Sequence, residues 1–135
     1  MENEDDLRGI MRRLPELYRT GDISGYLTHY APDLQAYYSG TFMNFHEASR
    51  FIISLFEDGG KSINFEISEP RLQFSEKSNS AVVSYTWRER FLFIDGKETD
   101  TEYYETDVWF RRNNEWKIVN VHQSTLREHV IGAGS

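Results

Sequence analysis

The side chains best equipped for chemistry cluster between Ala81 and Thr125, in the run AVVSYTWRERFLFIDGKETDTEYYETDVWFRRNNEWKIVNVHQST. Glu105 and Asp107 are separated by one residue, as are Arg88 and Arg90, so in an extended chain each pair shares one face. A carboxylate facing an imidazole raises its basicity and sets its tautomer, as a general base requires. Glu105 and His122 are the candidates for that pairing, and a cross-strand charge pair on a wet sheet is the plainer outcome. Asp107, if buried, keeps its proton and donates to a ligand oxygen, or else stays ionised among neighbouring polar groups. Arg88 and Arg90 suit a carboxylate or phosphate ligand, or neutralise the two acids from within. Tyr103, Tyr38 and Asn120 are further expected ligand contacts, and Tyr18, Tyr30 and Tyr37 can also turn hydroxyls into a cavity.

Strands must bring these residues together, and the sequence places turns for them. Asp95-Gly96 and Asn113-Asn114 are suited to two-residue turns with positive φ, each flanked by strand-forming residues. If Ile94 pairs with Lys97, counting sets Arg88 against Tyr103, Thr86 against Glu105, Ser84 against Asp107 and Val82 against Trp109. With Arg112 opposite Glu115, Trp109 meets Ile118, Asp107 meets Asn120 and Glu105 meets His122. One face then grades from Val82, Trp109 and Ile118 to the charged set. The other carries Val83, Tyr85, Trp87, Tyr104, Val108, Phe110, Val119 and Val121, and is expected to meet a second subunit. A β-bulge would exchange the two faces beyond it.

Upstream, Leu7, Ile10, Met11, Leu14, Leu17 and Tyr18 have the spacing of one helical face, capped by Asp5 or Asp6 and kinked or broken at Pro15. Gly21 stops this helix, and Asp22 caps a short second one that ends at Pro32-Asp33. Leu34 to Ser39 reads as a strand. Asn44 with Glu47 forms a capping box for a third helix, closed by Gly59-Gly60. Ser62 to Ser75 is a strand interrupted at Pro70. The order helix, helix, strand, helix, then four strands gives an α+β domain over residues 1–135, with 1–5 and 127–135 as mobile tails.

Composition narrows the function classes. Net charge is −7 with no basic run, which argues against nucleic acid and anionic membrane as partners. No apolar stretch reaches the length of a membrane span, and the opening MENEDD is unlike a signal peptide. The absence of cysteine fits a reducing compartment, so the cytoplasm is the expected location. The four histidines show no metal-ligand spacing, and no glycine-rich phosphate loop or serine elbow is present. Neither metal nor cofactor is expected.

Three segments carry a resemblance over nearly the whole chain: LYRTGDISGYLTHYAPDL from Leu17 to Leu34, the Gly40 to His46 stretch, and ETDVWFRRNNEWKIVNVHQS from Glu105 to Ser124. The chain resembles the nuclear transport factor 2-like (SnoaL-like) superfamily. Its last segment is especially similar to the association (hub) domain of calcium/calmodulin-dependent protein kinase II. The resemblance implies a cone of bent antiparallel sheet wrapped around the N-terminal helices, with a pocket at the open end. The superfamily includes isomerases, dehydratases, cyclases, epoxide hydrolases and assembly domains, so the fold alone does not select an activity. Asp107 matches the oxyanion-binding acid of ketosteroid isomerases, but their phenolic partner falls at Leu14 and their base near Tyr38. His46 matches the hub's pocket histidine, while the hub's pocket arginines fall at Trp87, Asp107 and Gln123.

Two functions follow as expectations. The first is a homo-oligomeric domain binding a small polar organic ligand, with cofactor-free isomerase, lyase or cyclase chemistry in which His122 is the base, Glu105 orients it and Asp107 stabilises charge on oxygen. The second is a non-catalytic module assembling into a dimer-based ring.

Overall fold

The computed structural model describes residues 2–131. Met1 and residues 132–135 of the expected tails lie outside the described residues. Three helices and seven strands follow one another as α1 (Glu2–Arg19), α2 (Ile23–Leu27), β1 (Tyr30–Tyr38), β2 (Thr41–Asn44), α3 (Phe45–Glu57), β3 (Lys61–Ile67), β4 (Arg71–Phe74), β5 (Ser80–Leu92), β6 (Glu98–Arg112) and β7 (Glu115–Ile131).

Helix α1 turns Leu7, Met11, Leu14 and Tyr18 inward, a row one helical turn apart at each step, and all four are buried. It begins at Glu2, ahead of Asp5 and Asp6, so neither is its cap, and it runs unbroken through Pro15. Gly21, at φ +83°, ends the run, and the Asp22 carboxylate accepts a hydrogen bond from the Gly25 amide to start α2. That helix is a single turn, because Pro32 and Asp33 already belong to β1 rather than closing the helix. The capping box is present in both directions: Glu47 N–H donates to Asn44 Oδ1 at 2.9 Å, and Asn44 N–H donates to Glu47 Oε1 at 3.0 Å. Gly59, at φ +92°, ends α3. At Gly60 a Cβ would stand 2.1 Å from the Leu55 carbonyl oxygen and 2.7 Å from the Phe91 ring, so the backbone needs a residue without a side chain there.

The strands form one sheet in the order β2-β1-β7-β6-β5-β3, with β4 also paired to β5. Pairing is antiparallel except between β1 and β7, which run parallel. The interruption at Pro70 separates β3 from β4; both pair with β5, one with each half of its length. Strand β7 continues to Ile131, so residues 127–131 pair with β6 instead of forming a tail. Helix α1 lies against β3 and α3 against β1 and β2. The core joins α1 to the inner sheet face through Leu7, Met11, Leu14, Val83, Trp109, Ile118 and Val121.

The two turns behave differently, and the difference decides the faces of β5. At Asn113 and Asn114 both φ angles are positive, 52° and 63°, as a two-residue type I′ turn requires, and Arg112 faces Glu115 as counted. In the Asp95-Gly96 turn only Gly96 has positive φ, at 88°. Phe93 N–H donates to the Lys97 carbonyl at 2.8 Å and Gly96 N–H to the Phe93 carbonyl at 2.9 Å. The Asp95 carboxylate accepts from Lys97 N–H at 2.9 Å. Ile94, Asp95 and Gly96 therefore make a three-residue loop with a glycine in the left-handed region. Leu92 pairs with Glu98, Tyr85 with Glu105 and Val83 with Asp107, one residue away from the two-residue count.

A second displacement lies in β7. Trp109 faces Ile118, but Val108 faces Asn120, leaving Val119 without an opposite residue. Beyond this bulge Asp107 faces Val121 and Glu105 faces Gln123. The inner face thus holds Val83, Tyr85, Trp87 and Glu89 of β5 beside Thr101, Tyr103, Glu105 and Asp107 of β6. Val83, Tyr85, Trp87 and Val121 are on this inner face, not on the outward face expected to meet a second subunit.

Candidate functional site

Because period-two alternation carries polar groups inward past the apolar core, the sheet and helices leave a cavity of about 350 Å³ above it. Helix α1 contributes Tyr18, α2 Tyr26, β1 Tyr30 and Tyr38, and α3 Phe51, Ile52 and Leu55. Strands supply Phe65, Tyr85, Trp87, Glu89, Phe91, Thr99, Thr101, Tyr103, Glu105, Gln123, Thr125 and Glu128. Ser39, Phe93 and Lys97 complete the lining.

At the inner end stands a carboxyl pair. Glu105 is 6% exposed and Asp107 1%. The Tyr85 hydroxyl donates to Glu105 Oε2 at 2.6 Å and lies 2.9 Å from Asp107 Oδ2. Trp87 Nε1–H donates to Glu105 Oε1 at 2.9 Å. Glu105 thus accepts two hydrogen bonds, one on each oxygen. A phenol has one proton, so with Glu105 as its acceptor the contact to Asp107 is completed by a proton on Asp107. Burial, then the charge of Glu105 and the hydrogen bond between the carboxyls, push Asp107 well above the usual carboxylate range, with the Tyr85 contact opposing.

A third acid lies on the same row of β5. Glu89 is 7% exposed, and burial pushes its carboxyl up to about 7 against the opposing Ser62 and Tyr18 hydroxyls. Tyr18 donates to Glu89 Oε1 at 3.4 Å, while among the described residues Oε2 accepts no hydrogen bond of normal geometry. Such a group exchanges a proton near neutral pH.

Phenols line the opposite wall. The Tyr26 and Tyr30 hydroxyls are 2.9 Å apart, and the buried Tyr38 hydroxyl makes no hydrogen bond of good geometry. Burial holds the protons of Tyr26, Tyr30, Tyr38 and Tyr85 well beyond the ordinary phenol range, with the nearby Glu105 and Asp107 carboxyls adding to it and, at Tyr30, the neighbouring Tyr26 and Tyr38 phenols ahead of them. Tyr18 is raised by burial and by Glu89. On the other side Phe65, Trp87 and Tyr103 form a stack, with centroids 5.0 Å and 4.0 Å apart in turn.

The structure brings together Glu105, Asp107, Tyr103 and Tyr38 of the sequence-predicted set, with Tyr18 and Tyr30. It does not bring in His122, which faces Thr106 on the outer surface and is exposed, because the Val119 bulge rotates β7 by one position. For the same reason Asn120 faces Val108 and is not in the lining. Arg88 and Arg90 point outward, because the three-residue loop assigns their face of β5 to solvent. There Arg88 donates to Asp100 at 2.9 Å and 2.6 Å, and Arg90 pairs with Glu98. His46, in the first turn of α3, is exposed and outside the cavity. Tyr37 is likewise exposed. Glu89, Tyr85, Trp87 and Gln123 were missed. Their signal is the row Tyr85, Trp87, Glu89, Phe91, an aromatic alternation interrupted by one carboxylate.

Among the described residues no three His, Cys, Asp or Glu side chains converge as a group that could hold a metal. Among the described residues no helix is long and apolar enough to cross a membrane.

Helices set against one face of a curved seven-stranded sheet, with a polar cavity inside, define a nuclear transport factor 2-like protein. A solved protein of that description from Cytophaga hutchinsonii superposes with a TM-score of 0.77 at 14% identity, covering 93% of this chain and 100% of that one. Within this class the chain belongs to the calcium/calmodulin dependent protein kinase II association domain family, whose model matches residues 3–127. It is 28% identical over 119 residues to the calcium/calmodulin-dependent protein kinase type II alpha chain of Drosophila melanogaster, which covers 85% of this chain. The chain spans 22% of that protein's length. A solved structure from Xanthomonas campestris assigned to the same association domain has a TM-score of 0.72 at 18% identity, covering 90% of this chain and 86% of that one.

Proposed function

We propose that this protein is a self-associating small-molecule receptor of the association domain family, and that its cavity binds a polar organic ligand and suits cofactor-free proton transfer. The observation that carries this reading is the buried Glu105–Tyr85–Asp107 arrangement at the inner end of an open cavity. Burying two acids beside each other raises the cost of the folded state, and such costs concentrate where a site needs them. In place of His122, the groups placed to move a proton are Glu89, which titrates near neutrality, and Asp107, which holds its proton through Tyr85. Gln123, Tyr38 and Tyr103 supply further polar atoms for orientation.

Ligand-observed nuclear magnetic resonance with a library of small polar ring compounds tests the reading. Thr125 lies exposed at the edge of the lining, its hydroxyl 2.6 Å from that of Ser39. Thr125→Trp should fill the mouth without disturbing the core, and the signals of bound compounds should disappear. An empty screen, or binding that survives Thr125→Trp, would count against the cavity as a site.

Self-association is supported by family membership and by a specific patch. Val82, Tyr104 and Phe110 lie on the outer face of β5 and β6 and are 40%, 44% and 37% exposed, which is unusual for large apolar side chains on neighbouring strands. In this reading the assembly surface and the cavity are opposite faces of one sheet and act independently.

A further inference from the structure

We infer that the ligand of the cavity is an organic cation, a protonated or quaternary amine attached to a flat apolar group; this rests on reading the cavity as a binding site. Three independent observations support it.

The first is the balance of charge. Among the described residues that line the cavity the carboxyl groups are Glu89, Glu105 and Glu128, and the sole cationic side chain is Lys97. Lys97 is exposed, its ammonium 5.7 Å from the centre of the Phe93 ring. The two arginines that could have reversed the sign are turned to the other side of the sheet and paired with Asp100 and Glu98. The phenols register the resulting field: after burial, the acids are what raise Tyr26, Tyr38 and Tyr85. A ligand anion would meet both a low dielectric and this negative potential, whereas a cation is drawn in by it.

The second is the wall. Phe65, Trp87 and Tyr103 lie stacked, and Tyr18 stands 5.0 Å from Phe65 at 48°. Trp87 is held between the other two, so the open faces are the outer ones of the stack; an aromatic face is the negative end of the ring quadrupole and attracts an ammonium group, most strongly where water is excluded. The same rings offer flat apolar surface to the rest of the ligand.

The third is an acceptor with nothing to accept. Glu89 is more than nine-tenths buried and lines the cavity, and among the described residues its Oε2 accepts no hydrogen bond of normal geometry, the Ser62 hydroxyl being a near neighbour of the carboxyl. Tyr18 of α1 faces its other oxygen; Ser62 of β3, with Thr101 and Tyr103 of β6, are its uncharged neighbours, and Glu128 and Lys97 are charged groups that also line the cavity. Because the Glu89 carboxyl titrates at about 7, the cavity gains negative charge as pH rises through neutrality. Cation binding should strengthen over the same interval.

Calorimetric titration of the full chain at pH 8 with benzyltrimethylammonium, benzyl alcohol and benzoate, three probes differing mainly in charge, tests the inference. The cation should bind at least about tenfold more tightly than the alcohol, and benzoate most weakly. Glu105→Gln should lower cation affinity by roughly tenfold more than it lowers alcohol affinity. Glu89→Gln, at a group whose outer oxygen has no partner to lose, should abolish the gain in cation affinity between pH 6 and pH 8; it also serves if Glu105→Gln does not fold. Alcohol or benzoate binding as tightly as the cation overturns the inference while leaving the cavity as a site. Binding by none of the three at millimolar concentration removes both.

Discussion

Glu89 shows how one residue couples the cavity to stability. Its carboxyl titrates at about 7 in the folded protein because burial disfavours the charged form, against an unfolded value of about 4.3. A raised carboxyl means that the folded state holds its proton more tightly than the unfolded chain. Stability is therefore undiminished below about pH 4, falls as pH rises through the interval up to about 7, and by pH 8 has lost on the order of 3 kcal/mol. Asp107, raised in the same direction, adds to the same trend. Glu89→Gln should be more stable than the parent at pH 8 by about 1 to 3 kcal/mol in urea unfolding, with the difference shrinking to near zero at pH 4. Equal stability of the two proteins at pH 8 would mean that Glu89 is solvated. That Glu105 and Asp107 share one face of β6 was legible from their spacing. That Glu89 lies on the same side of the sheet was not, since in Arg88-Glu89-Arg90 it reads as one more surface charge until the face of β5 is known.

At the scale of elements, the loop after β5 decides that face. A strand's side chains alternate, so a shift of one residue exchanges its entire inner and outer sets. With Ile94, Asp95 and Gly96 all in the loop, Val83, Tyr85, Trp87 and Glu89 are inside and Arg88 and Arg90 outside. Deleting Ile94 leaves Asp95-Gly96 as a two-residue loop between Phe93 and Lys97, the pair that already closes the longer loop, so the register is kept and both arginines stay outside. The shortened chain should keep a cooperative thermal transition by circular dichroism, whereas loss of that transition would show that the pairing needs the third loop residue. By contrast, the helices depend on local chemistry. The Asn44–Glu47 box and the glycines at 21 and 59 could be read directly, because a cap or a left-handed residue needs only its immediate neighbours. The expected break at Pro15 did not occur: packing of Met11, Leu14 and Tyr18 on either side of it outweighs the lost hydrogen bond.

For the whole molecule, the sheet divides its labour between an inner face that surrounds polar groups and an outer face that exposes Val82, Tyr104 and Phe110. Phe110→Glu places a charge in that patch opposite Ser80, far from Glu105 along β6. Sedimentation velocity should show a smaller particle for this variant, with ligand binding to the cavity unchanged. A particle of parental size would locate assembly elsewhere. Trp87→Glu would not make the same test, because Trp87 is a wall of the cavity and donates to Glu105.

The order of helices and long strands, the inward face of α1, the Asn113-Asn114 turn and the concentration of acids in β6 were decided by the sequence itself, while the short strand β2, Thr41–Asn44, was not read there. Each depends on propensities and periodicities that act over a few residues. Which acids meet, and what surrounds them, was decided by tertiary structure. A loop that closes with three residues rather than two and a bulge at Val119 differ little in local energy from their alternatives. They are selected because they bury Val83 and Val121 beside Trp109 and Ile118. Those same choices turned His122, Arg88 and Arg90 away from the cavity and brought Glu89 and Trp87 into it.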